Sequence, residues 1–149
     1  MSLITPSQVL LDLPADDRQQ VVHALAQTLV DDGRVTDLDQ FLADIAAREK
    51  LMATGLPDGI GIPHCRSAAV TVPSLAFARS ANGVDWGAAD GPATLIFMIA
   101  VPDSGGEDHL AILAKLARKL MRREFKQSLR DAGNADEVVR IIEDQVVNA

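Results

Sequence analysis

The segment Ala93-Thr-Leu-Ile-Phe-Met-Ile-Ala-Val101 restricts the fold more than any other stretch of this chain. It is the longest apolar run, yet far shorter than the roughly 20 residues that cross a bilayer. An uninterrupted run of this length, bounded by turn residues, reads as a buried strand at the centre of a sheet. Shorter strand candidates precede it at Ile60–Ile62, Ala69–Val72 and Leu75–Ala78, with a turn at Asn82-Gly83. A strand covered on both faces needs helices on both sides, and the flanking sequence supplies them.

From about Asp16 to Asp32, Val22, Leu25 and Leu29 recur at helical spacing, and Gly33 stops the helix. Thr36 and Asp39 make a start resembling a capping box for a second helix, whose stripe is Leu38, Phe41, Leu42 and Ile45. The turn-rich stretch Thr54-Gly-Leu-Pro-Asp-Gly59 ends that region. After Pro102-Asp-Ser-Gly-Gly106 the helical period returns, with Leu110, Leu113 and Leu120 on one face to about Arg122. A helix from about Glu124 to Ala132 stops at Gly133, and Asn134 caps a last one that turns Val138, Ile141 and Ile142 inward. With no internal repeat and no dividing linker, the order helices, strands, helices predicts an α/β fold. Residues 1–149 form a single domain: one mixed β-sheet flanked by helices on both faces.

Composition narrows the function. Fourteen Lys and Arg against twenty-one Asp and Glu give a formal charge of −7, which disfavours nucleic acid and anionic lipid as nonspecific partners. One cysteine, Cys65, permits no intrachain disulfide and no multi-cysteine metal site. The start Met1-Ser2-Leu3-Ile4-Thr5 has neither a basic leader nor an apolar signal core, so the expected location is the cytoplasm without direct membrane insertion.

The three histidines are the natural candidates for chemistry near neutral pH. His23 lies beside the first helix's apolar stripe and reads as a surface residue. His64 follows Gly59-Ile-Gly-Ile-Pro63, just past a short apolar strand and behind a proline that fixes its own φ. His109 opens a helix after Gly105-Gly106, where unpaired N–H groups favour an anion. Arg48 ends the second helix, shortly before the loop that leads to His64. On spacing alone, a loop histidine, a helix-end histidine and a solvated arginine remain the plain alternatives. Together, two imidazoles and a guanidinium suit phosphoryl transfer, which needs positioning and charge stabilisation. Neither a Gly-x-x-x-x-Gly-Lys-Ser/Thr loop nor a kinase Gly-rich loop is present to hold a nucleotide. The two readings built on Cys65 are weaker. A thiol nucleophile needs a positioned base, and adjacent His64 and Cys65 rarely aim at one zinc ion with His109.

Arg48-Glu49, Thr54-Gly55, Gly59-Ile-Gly-Ile-Pro-His64, Gly83-Val-Asp-Trp86, Phe97-Met-Ile-Ala-Val-Pro102 and His109-Leu110, in that order, resemble the type-2 EIIA domain of the bacterial phosphoenolpyruvate-dependent sugar phosphotransferase system. The resemblance covers nearly the whole chain, and Val84-Asp85-Trp86 with Val101-Pro102 resembles the fructose branch. It implies that His64 accepts a phosphoryl group from phospho-HPr and passes it to a cysteine of an EIIB domain, in fructose- or mannitol-type uptake. It further implies that His109 and Arg48 line the site, with no cofactor, nucleotide or metal. A regulatory module, whose phosphorylation at His64 controls protein binding, shares these residues, and a plain binding domain would not use His64 at all. Pro57 and Cys65 stand where relatives commonly have Gly, and Gly61 where they often have Ala.

Overall fold

The computed structural model describes residues 3–14, 17–51, 55–88, 90–103 and 108–147, with the backbone alone at 108–110 and 112. Helix α1 (Arg18–Asp31) starts where the Asp17 carboxylate accepts a hydrogen bond from the Gln20 N–H at 2.8 Å. Its stripe Val22, Leu25 and Leu29 is buried, and Gly33 at φ +74° takes the chain out of the helix. Helix α2 (Leu38–Leu51) buries Phe41 and Ile45. Its cap is not Thr36: the Asp37 carboxylate accepts from Gln40 N–H at 3.1 Å, and the Thr36 hydroxyl donates to the Ala69 carbonyl at 3.2 Å. An acidic residue accepts that N–H well and suits the positive end of the helix, whereas the hydroxyl fastens the helix entry to the next segment.

The strands are β1 (Val9–Leu10), β2 (Gly55–Leu56), β3 (Ile60–Gly61), β4 (His64–Ser67), β5 (Ser74–Val84) and β6 (Ala93–Pro102). The sheet order is β1-β5-β6-β3-β2, and β4 also pairs with β6. β1 is parallel to β5, β5 antiparallel to β6, β6 parallel to β3 and β4, and β2 antiparallel to β3, so the sheet is mixed, as expected. Ile60 opposes Leu95 and His64 opposes Ile99, the same register on both sides of Ile62-Pro63. Thus β3 and β4 are two parts of one line along β6, interrupted where proline has no N–H to give. The interruption is bridged from β6, whose Ile99 N–H donates to the Pro63 carbonyl at 3.0 Å.

Two local expectations change. Ala69–Val72 is a turn with a single bridge between Val70 and Val35, not a strand. Asn82-Gly83 is no hairpin turn: β5 runs through it with a register shift between Arg79 and Val84. There Gly83 N–H donates to Ser80 Oγ at 3.1 Å, and its φ of +79° beside Pro92 suits glycine.

Residue parity along β5 and β6 divides the core. Ala76, Ala78, Ile96, Met98 and Ala100 pack with α1 and α2. Leu75, Phe77, Leu95, Phe97 and Ile99 pack with α3 (Asp108–Lys119), α4 (Arg123–Asp131) and α5 (Ala135–Ile142), which continues into a π-helical turn at Glu143–Val147. Both parities of the apolar run are therefore buried, as a sheet with helices on both faces requires. Phe77 and Phe97 oppose each other with ring centroids 5.1 Å apart. Asn134 caps α5 by accepting from Glu137 N–H at 2.9 Å, as expected. Among the described residues no helix is long and apolar enough to cross a membrane.

Candidate active site

Proline before His64 and the β6 register behind it fix the backbone from which the ring projects. His64 is the first residue of β4 rather than a loop residue past a strand end. Its ring is half-buried, and Nδ1 lies 2.7 Å from the Ile62 carbonyl oxygen. A carbonyl only accepts, so Nδ1 carries the proton and Nε2 of the neutral ring presents a lone pair. The backbone thus selects the tautomer, a role a carboxylate often fills elsewhere. Arg48 Nη2 lies 3.5 Å from Nε2, so the guanidinium reaches from the end of α2 to the free nitrogen. The expected meeting of Arg48 and His64 is present.

An open pocket of about 500 Å³ surrounds the pair. Arg48 and Leu51 of α2 form one wall, His64 and Arg66 of β4 another, and Ile99, Val101 and Leu113 the apolar remainder. The site therefore straddles the sheet edge, with α2 from one helical layer and α3 from the other. His109 lies in the first turn of α3, as expected, four residues before Leu113. Its side chain, and with it the expected meeting with His64, lies outside the described residues. His23 is exposed on α1, as its place beside the stripe suggested.

Cys65, next in sequence, has the opposite environment. It belongs to the buried core on the α1/α2 side, and burial, with the Asp44 charge adding to it, pushes its thiol up to about 12. A thiol so disfavoured from ionising is no nucleophile. Successive strand residues project to opposite faces, which also separates Cys65 from His64 as metal ligands. Among the described residues no group of three His, Cys, Asp or Glu is placed to hold a metal ion.

Two features escape the sequence reading. Arg66 is exposed and lines the pocket; alternation along β4 would place it on the side of His64 had 64–67 been read as a strand. Trp86 is fully buried on Gly61, where an added Cβ would sit 2.9 Å from the indole. The Arg18 guanidinium lies 5.6 Å from the Trp86 ring centroid and pairs with Glu49 at 3.4 Å, next to Arg48 on α2. The glycine at 61 is thus matched to the tryptophan lying on it.

Comparison with known proteins identifies the family. Residues 2–145 match the family described as the phosphoenolpyruvate-dependent sugar phosphotransferase system, EIIA 2, and the chain belongs to that family. The fructose-specific EIIA component of Haloferax volcanii is 42% identical over 148 residues, covering 98% of this chain and 96% of that protein. The fructose-specific EIIABC component of Bacillus subtilis is 35% identical over 141 residues; the match covers 94% of this chain and 22% of that longer protein. The crystal structure of nitrogen regulatory protein IIA-Ntr from Neisseria meningitidis matches with a TM-score of 0.86 at 32% identity, covering 94% of this chain and 96% of that one. The chain is therefore an EIIA-type component of a phosphoryl-transfer system.

Proposed function

We propose that this protein is a phosphoryl carrier in which His64 Nε2 accepts the group from a phosphohistidine of HPr and passes it to a cysteine of an EIIB domain. The observation that carries the reading is the Nδ1–H to Ile62 carbonyl bond, which leaves Nε2 as a lone-pair donor beside Arg48. In the first transfer the Nε2 lone pair forms a bond to phosphorus, the donor's P–N bond breaks, and its electron pair returns to the donor imidazole. The Nδ1 proton stays on its carbonyl throughout. In the second transfer a thiolate forms an S–P bond, the P–N bond breaks, and the electron pair returns to Nε2.

Arg48 meets the charge spread over the phosphoryl oxygens. His109, whose backbone lies in the N-terminal turn of α3, takes the second stabilising role that the family resemblance implies. The apolar rim excludes water from a bond that hydrolysis would waste. Fructose-type uptake is supported by the relatives at 42% and 35% identity, and the fused EIIABC chain of the second supports an EIIB acceptor. A regulatory role is the second reading, favoured by the likeness to IIA-Ntr. Phosphorylation would add about two negative charges to the surface around His64 and so switch its binding. Both readings operate away from a nucleotide or metal.

Intact-mass analysis at neutral to alkaline pH, after incubation with phosphoenolpyruvate, Enzyme I and HPr, tests the carrier chemistry. A single acid-labile phosphoryl adduct that disappears in His64→Ala is expected. No adduct on the parent, with HPr shown to be phosphorylated, overturns it. Transfer onward to an EIIB thiol then separates transport from regulation.

A further inference from the structure

We propose that Arg66 is a second guanidinium contact for the phosphoryl group on His64, an assignment that rests on His64 being the phosphoryl acceptor. Burial alternates along β4: Cys65 and Ser67 are buried, His64 half-buried and Arg66 exposed. Positions 64 and 66 therefore share a face, about 6.5–7 Å apart along the strand. Both line the same pocket.

Several basic side chains are committed to partners within the fold. Arg18 pairs with Glu49, Arg34 with Asp32, and Lys126 and Arg130 with Asp58. Arg79 donates to the carbonyls of Leu129, Arg130 and Ala132, closing the end of α4. Among the described residues Arg66 has neither an ion pair nor a side-chain hydrogen bond, although Asp44 lines the same pocket. The Asp44 carboxylate is occupied by Ser67 Oγ at 2.6 Å and Gln40 Nε2 at 3.0 Å. Two guanidiniums consequently face a pocket whose carboxylate binds other groups.

A transferring phosphoryl group offers three oxygens with distributed charge, more than one guanidinium can satisfy through its two-pronged edge. Arg48 approaches from α2 and Arg66 from β4, so the two would hold the group from different directions. Arg66 is the more exposed and must give up more side-chain freedom, which makes its contribution the smaller.

Phosphoramidate tests this without a protein donor. Its P–N bond breaks, ammonia leaves with the electron pair, and the phosphoryl group bonds to His64 Nε2. Parent, Arg66→Gln and Arg66→Lys are compared by intact mass, and the phosphoryl titration is followed by phosphorus NMR. A nearby cation favours the dianion, so Arg66→Gln is expected to raise the phosphoryl pKa by about half a unit and cut the phosphorylated fraction about threefold at equilibrium. Arg66→Lys, which keeps the charge, is expected to retain more than half of the effect. Asp44, Arg48, His64 and Cys65, the other ionisable groups that line the pocket among the described residues, and His109 in the first turn of α3 are the same in all three proteins.

An unchanged titration and fraction in Arg66→Gln overturn the assignment while leaving His64 as acceptor. A defect confined to transfer from phospho-HPr also overturns it, because Arg66 would then act on the partner. A parent with no adduct on His64 from either donor removes the underlying reading itself.

Discussion

The line formed by β3 and β4 has two ends of opposite character. At the β3 end, a three-residue loop joins β2 to β3, with Asp58 at φ +67° and Gly59 at φ +77°. Lys126 donates to the Asp58 carboxylate at 2.7 Å, and Arg130 donates to the Asp58 carbonyl at 2.7 Å. Trp86 covers the glycines behind it: an added Cβ at Gly55 would lie 2.5 Å from the Trp86 carbonyl. At the β4 end, two arginines face an open pocket, and Arg48 reaches His64 at 3.5 Å. Charges that are paired hold a fold; charges that are unpaired and convergent await an anion. The molecule fixes one end of the line so that the other can present its histidine on a rigid backbone.

The largest effect expected from breaking the fixed end is Trp86→Ala. Removing a fully buried indole costs about 3–5 kcal/mol of stability, read as a lower urea midpoint at unchanged slope. A loss below about 1 kcal/mol would show that the glycine-tryptophan packing does not hold that end. Arg48→Gln strikes the open end instead. It is expected to slow phosphoryl acceptance about 10- to 100-fold, with a shift in urea midpoint within experimental scatter, because a charge-assisted contact contributes about 1.5–3 kcal/mol. Equal losses of stability and transfer would erase the distinction between the two ends.

Asp58→Asn gives the smallest effect and tests the pairing at the turn. The hydrogen bond from Lys126 holds the Asp58 carboxyl below the ordinary carboxylate range, against the opposing effect of burial, with the charges of Lys126, Arg130 and Arg123 assisting. A lowered folded pKa stabilises the fold above the unfolded value of about 4, and this stability is lost as pH falls through the folded value. Asp58 is 55% exposed, so solvent screens the pair and the difference at neutral pH is expected to be at most about 1 kcal/mol. Asn tolerates the left-handed backbone, which isolates the charge. Urea unfolding of parent and variant should converge as pH falls through that window; a constant gap would exclude ionisation as its source.

The sheet's central strand, both helical layers and the pairing of Arg48 with His64 were legible because each rests on apolar pattern or on a set of residues in fixed order. The run Thr94–Val101 has both parities buried, and no local signal had to be weighed against it. The misses share one cause: short segments whose state is set by tertiary neighbours. Ala69–Val72 looks apolar enough for a strand, but its backbone bonds with Arg34 and Thr36 make only the one isolated bridge between Val35 and Val70, and it joins no strand of the sheet. His64–Ser67 looks polar enough for a loop, but β6 supplies a ready ladder, so it extends. Asn82-Gly83 carries a hairpin signal, yet β5 continues because its shifted register still finds β6. The buried indole on Gly61 is a long-range contact that no spacing in the sequence expresses.

The proposed carrier chemistry turns on which ring nitrogen of His64 would take the phosphoryl group. Phosphorus–nitrogen coupling in the NMR spectrum of the phosphorylated protein, labelled at histidine nitrogen, reads this directly. With Nδ1–H held on the Ile62 carbonyl, the coupling is expected at Nε2 of His64 and nowhere else. Coupling to Nδ1 of His64, or to either nitrogen of His109, would contradict it.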